Sequence, residues 1–145
     1  MSRELDSYNQ RVIEAFRANG GVVDPGLDLL LLHHLGARSG RERVTPLAYW
    51  NVDDTTVAVL ASNRGARKHP DWYHNLVANP NAKTEIGTET FLARARVATT
   101  NERTKLLPRI VEQTPSVSAA LNRTTREIPL VILDLRTDGV RLAAS

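Results

Sequence analysis

The sequence predicts an α+β domain with a barrel-like sheet of about six mainly antiparallel strands and flanking helices. Short apolar or β-branched runs alternate with tight turns, which is the pattern of strands joined by hairpins. Helical periodicity occurs at the start of the chain, in its middle and before the last long apolar run. The length of 145 residues suits one hydrophobic core, and no internal repeat or linker-like stretch divides it. Residues 1–145 are therefore predicted to form a single domain.

The first part of the chain predicts one helix and three strands. Apolar residues recur at helical spacing over 5–18, and Gly20-Gly21 ends this helix. A turn is predicted at Asp24-Pro25-Gly26. Strands are predicted over 27–35, 43–51 and 55–61. The first strand is mostly apolar and should be buried on both faces, although a short buried helix would show the same pattern.

The second part of the chain predicts three helices and the remaining strands. Pro70 suits the first position of a helix over 70–77, because its missing N–H costs nothing there. Thr99 and Glu102 have capping-box spacing for a helix that runs to about residue 113, and Thr114-Pro115 begins another short helix. Strands are predicted over 83–86, 88–97, 128–135 and 140–142, with hairpin turns at Gly87 and Asp138-Gly139.

Composition excludes several classes of protein. The chain contains no cysteine, so disulfides, thiolate nucleophiles and Cys-rich metal sites are absent. Apolar runs are too short to span a bilayer, and the first residues lack the apolar stretch of a secretory signal, so a cytoplasmic location is expected. The net charge of +3 permits an anionic ligand, a nucleic acid or an acidic membrane surface and selects none of them.

Two basic loops, each following a predicted strand, are the main candidates for a binding site. The first, residues 36–43, places Arg38, Arg41 and Arg43 among glycines that allow close backbone approach. The second, residues 61–68, carries Arg64, Arg67 and Lys68 and leads into a helix N-terminus, which favours anions. The two loops could converge on one multiply charged anion. The alternative is a pair of unrelated, solvated surface loops.

Aromatic and histidine residues give weaker indications. Trp72-Tyr73, followed by His74 and Asn75, could wall a flat ring, or they could pack the helix against the sheet. His33 and His34 are adjacent on a predicted strand, so they face opposite sides and cannot chelate one metal. Either could donate a proton or be hydrogen-bonded near a site. The four histidines have no metal-binding spacing and no GxSxG motif is present, so neither a metal site nor a hydrolase is predicted.

Two long segments resemble a known family. Residues 29–50, LLLLHHLGARSGRERVTPLAYW, and residues 61–87, ASNRGARKHPDWYHNLVANPNAKTEIG, are similar to the deazaflavin-dependent nitroreductase family. They carry the paired motifs GxxSGxxRxTPL and KHPxWYxNLxANP, and residues 126–133, REIPLVIL, resemble the last core strand of that family. The resemblance implies a split β-barrel related to flavin-binding oxidoreductases. It also implies coenzyme F-420, a deazaflavin with a phosphate and an oligoglutamate tail, with FMN as the less expected cofactor.

The resemblance also implies positions for the cofactor. Arg38 and Arg43 match residues that hold the anionic tail, with Ser39 beside them, and Arg67 and Lys68 of the second loop can share this role. Thr45, Pro46, Leu47 and Ala48 match the strand that lines the ring. Ala61, Ser62 and Asn63 match the stretch whose backbone meets the polar edge of the ring, and Trp72, Tyr73 and Asn75 match the wall near it.

The resulting hypothesis is an oxidoreductase that transfers a hydride from the reduced deazaflavin to a quinone, an enone or a nitro compound. Residues 114–121 contain no tyrosine, where the nitroreductase branch carries tyrosines near the acceptor, and no catalytic side chain is assigned. The alternatives are a non-catalytic F-420 carrier, an FMN-binding reductase and, from the basic loops alone, a nucleic-acid-binding module. The last lacks interleaved surface aromatics and is not favoured. A homodimer is compatible with the sequence, and residues 1–22 would either cap the cofactor site or pair with another subunit.

Overall fold

A computed structural model describes residues 3–24 and 26–136, which form four helices and seven strands. The helices are α1 (Arg3–Ala18), α2 (Asp71–Ala78), α3 (Thr100–Gln113) and α4 (Ser116–Asn122). The strands are β1 (Leu29–Leu35), β2 (Glu42–Ala48), β3 (Trp50–Asp53), β4 (Thr56–Leu60), β5 (Asn81–Ile86), β6 (Glu89–Val97) and β7 (Leu130–Leu135). The predicted α+β class is confirmed.

All seven strands form one antiparallel sheet in the order β2-β1-β5-β6-β7-β4-β3. The two edge strands, β2 and β3, are separated in the chain by Tyr49 alone. The sheet must therefore curl until its edges nearly meet, and β2 does contact β4. The backbone N–H of Tyr49 donates to the carbonyl of Asp28 at 3.1 Å, which holds this corner against the start of β1. The barrel-like sheet predicted from the sequence is confirmed.

The predicted single strand over 43–51 was wrong. The chain forms β2 and β3 there and bends at Tyr49, because a sheet closed by its own chain needs a corner between its two edges. The alternation of apolar residues continues through this corner and hides it. The last strand begins at Leu130 instead of residue 128, and α2 begins at Asp71 with Pro70 as its N-cap. The predicted turn at 138–139 and strand at 140–142 lie outside the described residues, as does Pro25 of the predicted 24–26 turn.

Three apolar clusters hold the layers together. The barrel interior is filled from β1, β4, β6 and β7 and is closed by Trp72 and Leu76 of α2. On the outer surface of β4 and β7, Leu106 and Ile110 of α3 cover a second cluster. Helix α1 buries Phe16 against Leu31 on the outer face of β1. Burial of one such large apolar side chain contributes about 1.5–3 kcal/mol, so each helix is fixed by its apolar face.

The capping box predicted at the start of α3 is confirmed. The Glu102 N–H donates to Thr99 Oγ1 at 3.2 Å, and the Thr99 N–H donates to Glu102 Oε1 at 2.9 Å. Arg96 of β6 donates to both carboxylate oxygens of Glu102, at 2.7 and 2.9 Å. These bonds, together with those from Thr99, lower the pKa of Glu102 to about 2. Within residues 3–24 and 26–136, no helix is long and apolar enough to cross a bilayer.

Candidate functional site

Residues 36–43, the turn between β1 and β2 together with the first two residues of β2, are named loop A. The Gly40 N–H donates to the Gly36 carbonyl at 2.9 Å, and the Gly36 N–H donates to the Arg41 carbonyl at 2.9 Å. Gly40 has a φ of +69°, the left-handed region that favours glycine. At Gly36 a Cβ atom would lie only 2.5 Å from Ser39 Oγ, so a larger residue would displace that hydroxyl. Glycines therefore set the shape of loop A and leave Arg38 exposed at its tip.

Helix α2 holds loop A through the side chain of Asn75. The backbone N–H of Ala37 donates to Asn75 Oδ1 at 2.8 Å. At the first turn of the same helix, Asp71 lies 3.7 Å from the guanidinium of Arg43, as an exposed ion pair. Asn75 is 5% exposed, so its amide is a structural link as well as a predicted cofactor-binding residue.

The same amide fixes the protonation of His34. Because Asn75 Oδ1 accepts from Ala37, its Nδ2 must donate, and His34 Nδ1 at 3.0 Å must accept. The proton of His34 is therefore on Nε2, which donates to Thr45 Oγ1 at 2.9 Å. Burial, aided by the positive charge of Arg43, lowers the pKa of His34 to about 4, so the ring is neutral at pH 7. Thr45 accepts this bond and keeps its own hydroxyl proton for another acceptor.

Residues 61–70, which connect β4 to α2, are named loop B. Ser62 has right-handed helical angles (φ −78°, ψ −28°) and Asn63 has a φ of +48°. This right-then-left pair is the backbone arrangement in which successive N–H groups form an anion-binding concavity. The turn is closed by bonds from the Gly65 N–H to the Ser62 carbonyl at 2.8 Å and from Asn63 Nδ2 to the Lys68 carbonyl at 2.9 Å.

Arg126, from the segment before β7, lies against loop B and was not predicted as a site residue. Its guanidinium donates to the carbonyls of Ala61 at 3.2 Å, Ser62 at 2.9 Å and Ala66 at 2.9 Å, and to His69 Nδ1 at 2.9 Å. Burial, followed by the charges of Arg126 and His74, lowers the pKa of His69. The sequence alone does not indicate Arg126 as a site residue. Only the pairing of β7 with β4 brings residue 126 to the start of loop B.

The two loops lie at the same helix. Loop A is bonded to the side chains of Asn75 and Asp71, and loop B continues directly into the first turn of α2. Arg38, Arg67 and Lys68 are exposed, and none has an ion-pair partner among the described residues. The side chain of Arg64 lies outside the described part of the chain. The structure therefore places both cationic loops at α2. Their convergence on one anion stays a prediction.

The predicted cofactor-binding residues of strand β2 lie on two opposite sides of the sheet. Thr45 and Leu47 face the side of β2 that meets His34 and the barrel interior. Pro46 and Ala48 alternate to the opposite side, where Ala48 packs against the α3 cluster. Side chains from only half of this predicted stretch can reach the side of the sheet that α2 covers.

The remaining predicted residues are largely packed. Ala61 is fully buried and Trp72 is 5% exposed, both within the barrel interior. Tyr73 is partly buried and contacts the ring of His69, with ring centroids 4.8 Å apart. Trp72-Tyr73 was predicted either to wall a flat ring or to pack the helix against the sheet. Trp72 has the packing role.

Helix α1 and His33 occupy the opposite face of β1. His33 Nε2 lies 2.5 Å from Glu85 Oε2, which also accepts from Arg17 of α1 at 2.6 Å. His33 and His34 thus face opposite sides, as predicted, and the described residues contain no cluster of three or more potential metal ligands. The role of residues 1–22 as a cap stays a prediction.

Comparison with known proteins identifies similar sequences. Residues 7–134 match the family described as F420H(2)-dependent quinone reductase. A Mycobacterium tuberculosis protein provisionally assigned to this activity, Rv3178, is 39% identical over 117 residues, which cover 81% of this chain and 97% of the relative. The F420H(2)-dependent quinone reductase Rv1261c of the same species is 34% identical over 110 residues, covering 74% of this chain and 73% of the relative.

Solved structures agree with these sequence matches. An F420-H2-dependent reductase, FDR-A, has a TM-score of 0.68 and 32% identity, covering 78% of this chain and 97% of that one. A protein described as a domain-swapped dimer has a TM-score of 0.70 and 27% identity, covering 90% and 99%. The heme storage protein HutZ of Vibrio cholerae shares the fold alone, with a TM-score of 0.58 and 17% identity, covering 92% and 94%. The predicted split-barrel fold is confirmed.

Proposed function

The chain belongs to the F420H(2)-dependent quinone reductase family and is an F420-dependent oxidoreductase; we propose that its loops A and B bind one molecule of coenzyme F-420 beside the N-terminal half of α2. One observation carries this proposal. Asn75 of α2 accepts the Ala37 N–H of loop A at 2.8 Å, while loop B runs into the same helix at Asp71. A single elongated anion can therefore contact both loops.

The donors present fit a ligand with a phosphate and a carboxylate tail. Arg38, Arg67 and Lys68 supply exposed cations without carboxylate partners among the described residues. The backbone of Ser62 and Asn63 adds N–H donors that suit phosphate or carbonyl oxygens. Each exposed charge contact is worth about 0.2–1 kcal/mol, so several must act together on the tail. FMN, which lacks that tail, would use fewer of these contacts.

We assign the ring to the neighbourhood of Thr45 and Ser62. Thr45 accepts from neutral His34, so its hydroxyl proton is free to donate to a carbonyl of the ring. The bound reduced coenzyme supplies the hydride. The residues of this chain hold the ring, neutralise its tail and place it against the acceptor, for which orientation is the main contribution.

A quinone is the proposed acceptor, because the family and the relatives carry that name. Residues 114–121, which include most of α4, contain no tyrosine that could donate to a nitro group. Nitro compounds are therefore expected to be poorer acceptors than quinones. No side chain is assigned as a proton donor.

We also propose that two copies of the chain associate. The support is the neighbour described as a domain-swapped dimer, which covers 90% of this chain. Light scattering over a range of concentrations tests this part separately, and a monomer at every concentration would contradict it.

The main experiment is a titration with coenzyme F-420 followed by visible absorbance, then oxidation of the reduced coenzyme by a soluble naphthoquinone. We expect saturable binding, weaker binding of FMN, and quinone-dependent oxidation above the background rate. Binding without oxidation by any quinone or enone would support the alternative of a non-catalytic carrier. Absence of saturable F-420 binding would overturn the proposal.

A further inference from the structure

The guanidinium of Arg126 is bonded almost entirely to backbone. Three of its four acceptors are main-chain carbonyls of loop B, those of Ala61, Ser62 and Ala66, at 2.9–3.2 Å. The fourth is the ring nitrogen Nδ1 of His69. No described carboxylate forms an ion pair with Arg126, and neighbouring Glu127 lies 3.6 Å from Arg103 instead. The positive charge therefore stays at loop B.

The direction of these carbonyls fixes the direction of the next N–H groups. In a trans peptide, the C=O and the N–H of the same plane point opposite ways. The carbonyls of Ala61 and Ser62 turn toward Arg126, so the N–H groups of Ser62 and Asn63 turn away from it. The same rule directs the Arg67 N–H away from Arg126, because the Ala66 carbonyl is bound. One side chain thus sets three backbone donors on the opposite side of the loop.

We infer that Arg126 is a positioning residue for the coenzyme: by binding the carbonyls of loop B, it holds the N–H groups of Ser62, Asn63 and Arg67 toward the F-420 molecule. This inference rests on the proposed function. Arg126 does not itself contact the coenzyme, and it acts through the loop backbone. It also adds an uncompensated positive charge behind the donors.

The geometry requires an arginine. The planar fork of a guanidinium carries five N–H donors at fixed positions, whereas a lysine ammonium is a single point with three donors. The bonds to Ala66 and to Ala61 leave from different nitrogens, Nε and Nη2. A lysine at this position would keep the charge and lose the simultaneous bonds. The Arg126→Lys variant therefore tests the orientation of the loop B backbone separately from the positive charge at position 126.

The experiment compares Arg126→Gln, Arg126→Lys and a matched control, Arg109→Gln. Arg109 is an exposed arginine of α3, so its loss changes the net charge equally without touching loop B. The first readout is amide hydrogen exchange of residues 62–67 in the ligand-free protein. The second is the dissociation constant of F-420 by absorbance titration. Circular dichroism and thermal melting identify variants that remain folded.

We expect both Arg126 variants to speed exchange of loop B amides about tenfold and to weaken F-420 binding about tenfold, while Arg109→Gln changes neither. A further pair of variants, Arg126→Ala and Arg38→Ala, tests rescue: guanidinium ion at millimolar concentration should restore F-420 binding to Arg126→Ala but not to Arg38→Ala. If Arg126→Gln does not fold, amide exchange of loop B and the dissociation constant of F-420 are measured on Arg126→Lys instead. If loop B exchange or F-420 affinity stays within about twofold of wild type in a folded variant, the inference is overturned.

The two readouts distinguish this inference from the proposed function. A wild-type protein that does not bind F-420 refutes the function, and with it the role of the oriented donors, even if Arg126 still protects loop B. A wild-type protein that binds F-420 normally, with unchanged affinity in Arg126→Gln, refutes only the positioning role.

Discussion

Asn75 and His34 share a buried hydrogen bond of 3.0 Å that fixes the tautomer of the histidine and the donor role of Thr45. Both side chains are at most 5% exposed, and they come from α2 and β1, 41 positions apart. The bond links the helix between the two cationic loops to the strand behind the candidate ring site. Loss of this hydrogen bond should therefore lower both the stability of the protein and its affinity for the cofactor.

Replacement of Asn75 by leucine should destabilise the protein by about 1–3 kcal/mol, because the buried His34 Nδ1 and the part-buried Ala37 N–H lose their partners. Urea unfolding measures this change. Loop A also loses its bond to α2, so the dissociation constant of F-420 should rise. Asn101→Ala, at an exposed position in the first turn of α3, is the matched control and should change stability by less than about 0.5 kcal/mol. Equal stability of the two variants would contradict the buried link.

Thr45→Val tests the donor assigned to the ring. Valine keeps the branched shape but removes the hydroxyl, so the neutral His34 loses its acceptor and the coenzyme loses a donor. We expect F-420 binding to weaken about three- to tenfold, measured by absorbance titration. Thr45→Ser retains the hydroxyl and should bind F-420 nearly as well as wild type. Equal affinities for the valine and serine variants would show that the hydroxyl makes no contact with the coenzyme.

The sequence predicted the features that depend on neighbours along the chain. The capping box of Thr99 and Glu102 needs only their spacing, and the apolar periodicity of α1 and of the strands is equally local. The two basic loops were also predictable, because glycine and arginine stand together in each. That the two loops converge on one anion was a hypothesis from their basic residues and their positions after predicted strands, and the bond between loop A and Asn75 of α2 is compatible with it.

The sequence did not predict the features that depend on strand pairing. Arg126 reaches loop B only because β7 pairs with β4, and its contacts are with backbone groups, which leave no trace in residue types. The corner at Tyr49 was missed because alternation continues across it. Trp72 suited both a ring wall and a core position, and only the packing of α2 over the barrel interior decides between them.

Titration of His34 should make the stability of the protein depend on pH. Its folded pKa of about 4 is below its ordinary value of 6.5, chiefly because of burial, with Arg43 and His33 adding to the effect and Asp71 opposing it. The unfolded chain therefore takes up the proton first as pH falls. The contribution of neutral His34 is complete above pH 6.5, is lost progressively between pH 6.5 and 4, and amounts to about 3 kcal/mol in total.

Urea unfolding of wild type and His34→Gln between pH 4 and 8 measures this contribution. The variant has no titrating group at this position, so the stability difference between the two proteins should shrink as pH falls from 6.5 to 4. His74→Gln removes an exposed histidine of α2 and should leave the wild-type profile nearly unchanged. A constant difference between wild type and His34→Gln over this range would contradict the neutral, buried state of His34.

The double variant Arg38→Ala/Arg43→Ala tests whether loop A holds the anionic tail. Both guanidinium groups are exposed, and the pair of Arg43 with Asp71 is 3.7 Å long at the surface, so the loss of stability should be under about 1 kcal/mol. Binding of F-420 should weaken at least about tenfold, because two tail contacts disappear at once. The remaining affinity should depend less on salt concentration, since fewer cations face the tail.

A matched double variant, Arg11→Ala/Arg109→Ala, removes the same net charge from exposed positions on α1 and α3. It separates local contacts from the general electrostatic attraction between a basic protein and an anion. If both double variants weaken F-420 binding equally, the effect is one of net charge and loop A has no specific role. If neither weakens it, the tail must lie along loop B, where Arg67 and Lys68 are the next residues to replace. Weakening confined to the loop A variant, with a shallower salt dependence, is the result that places the tail against Arg38 and Arg43.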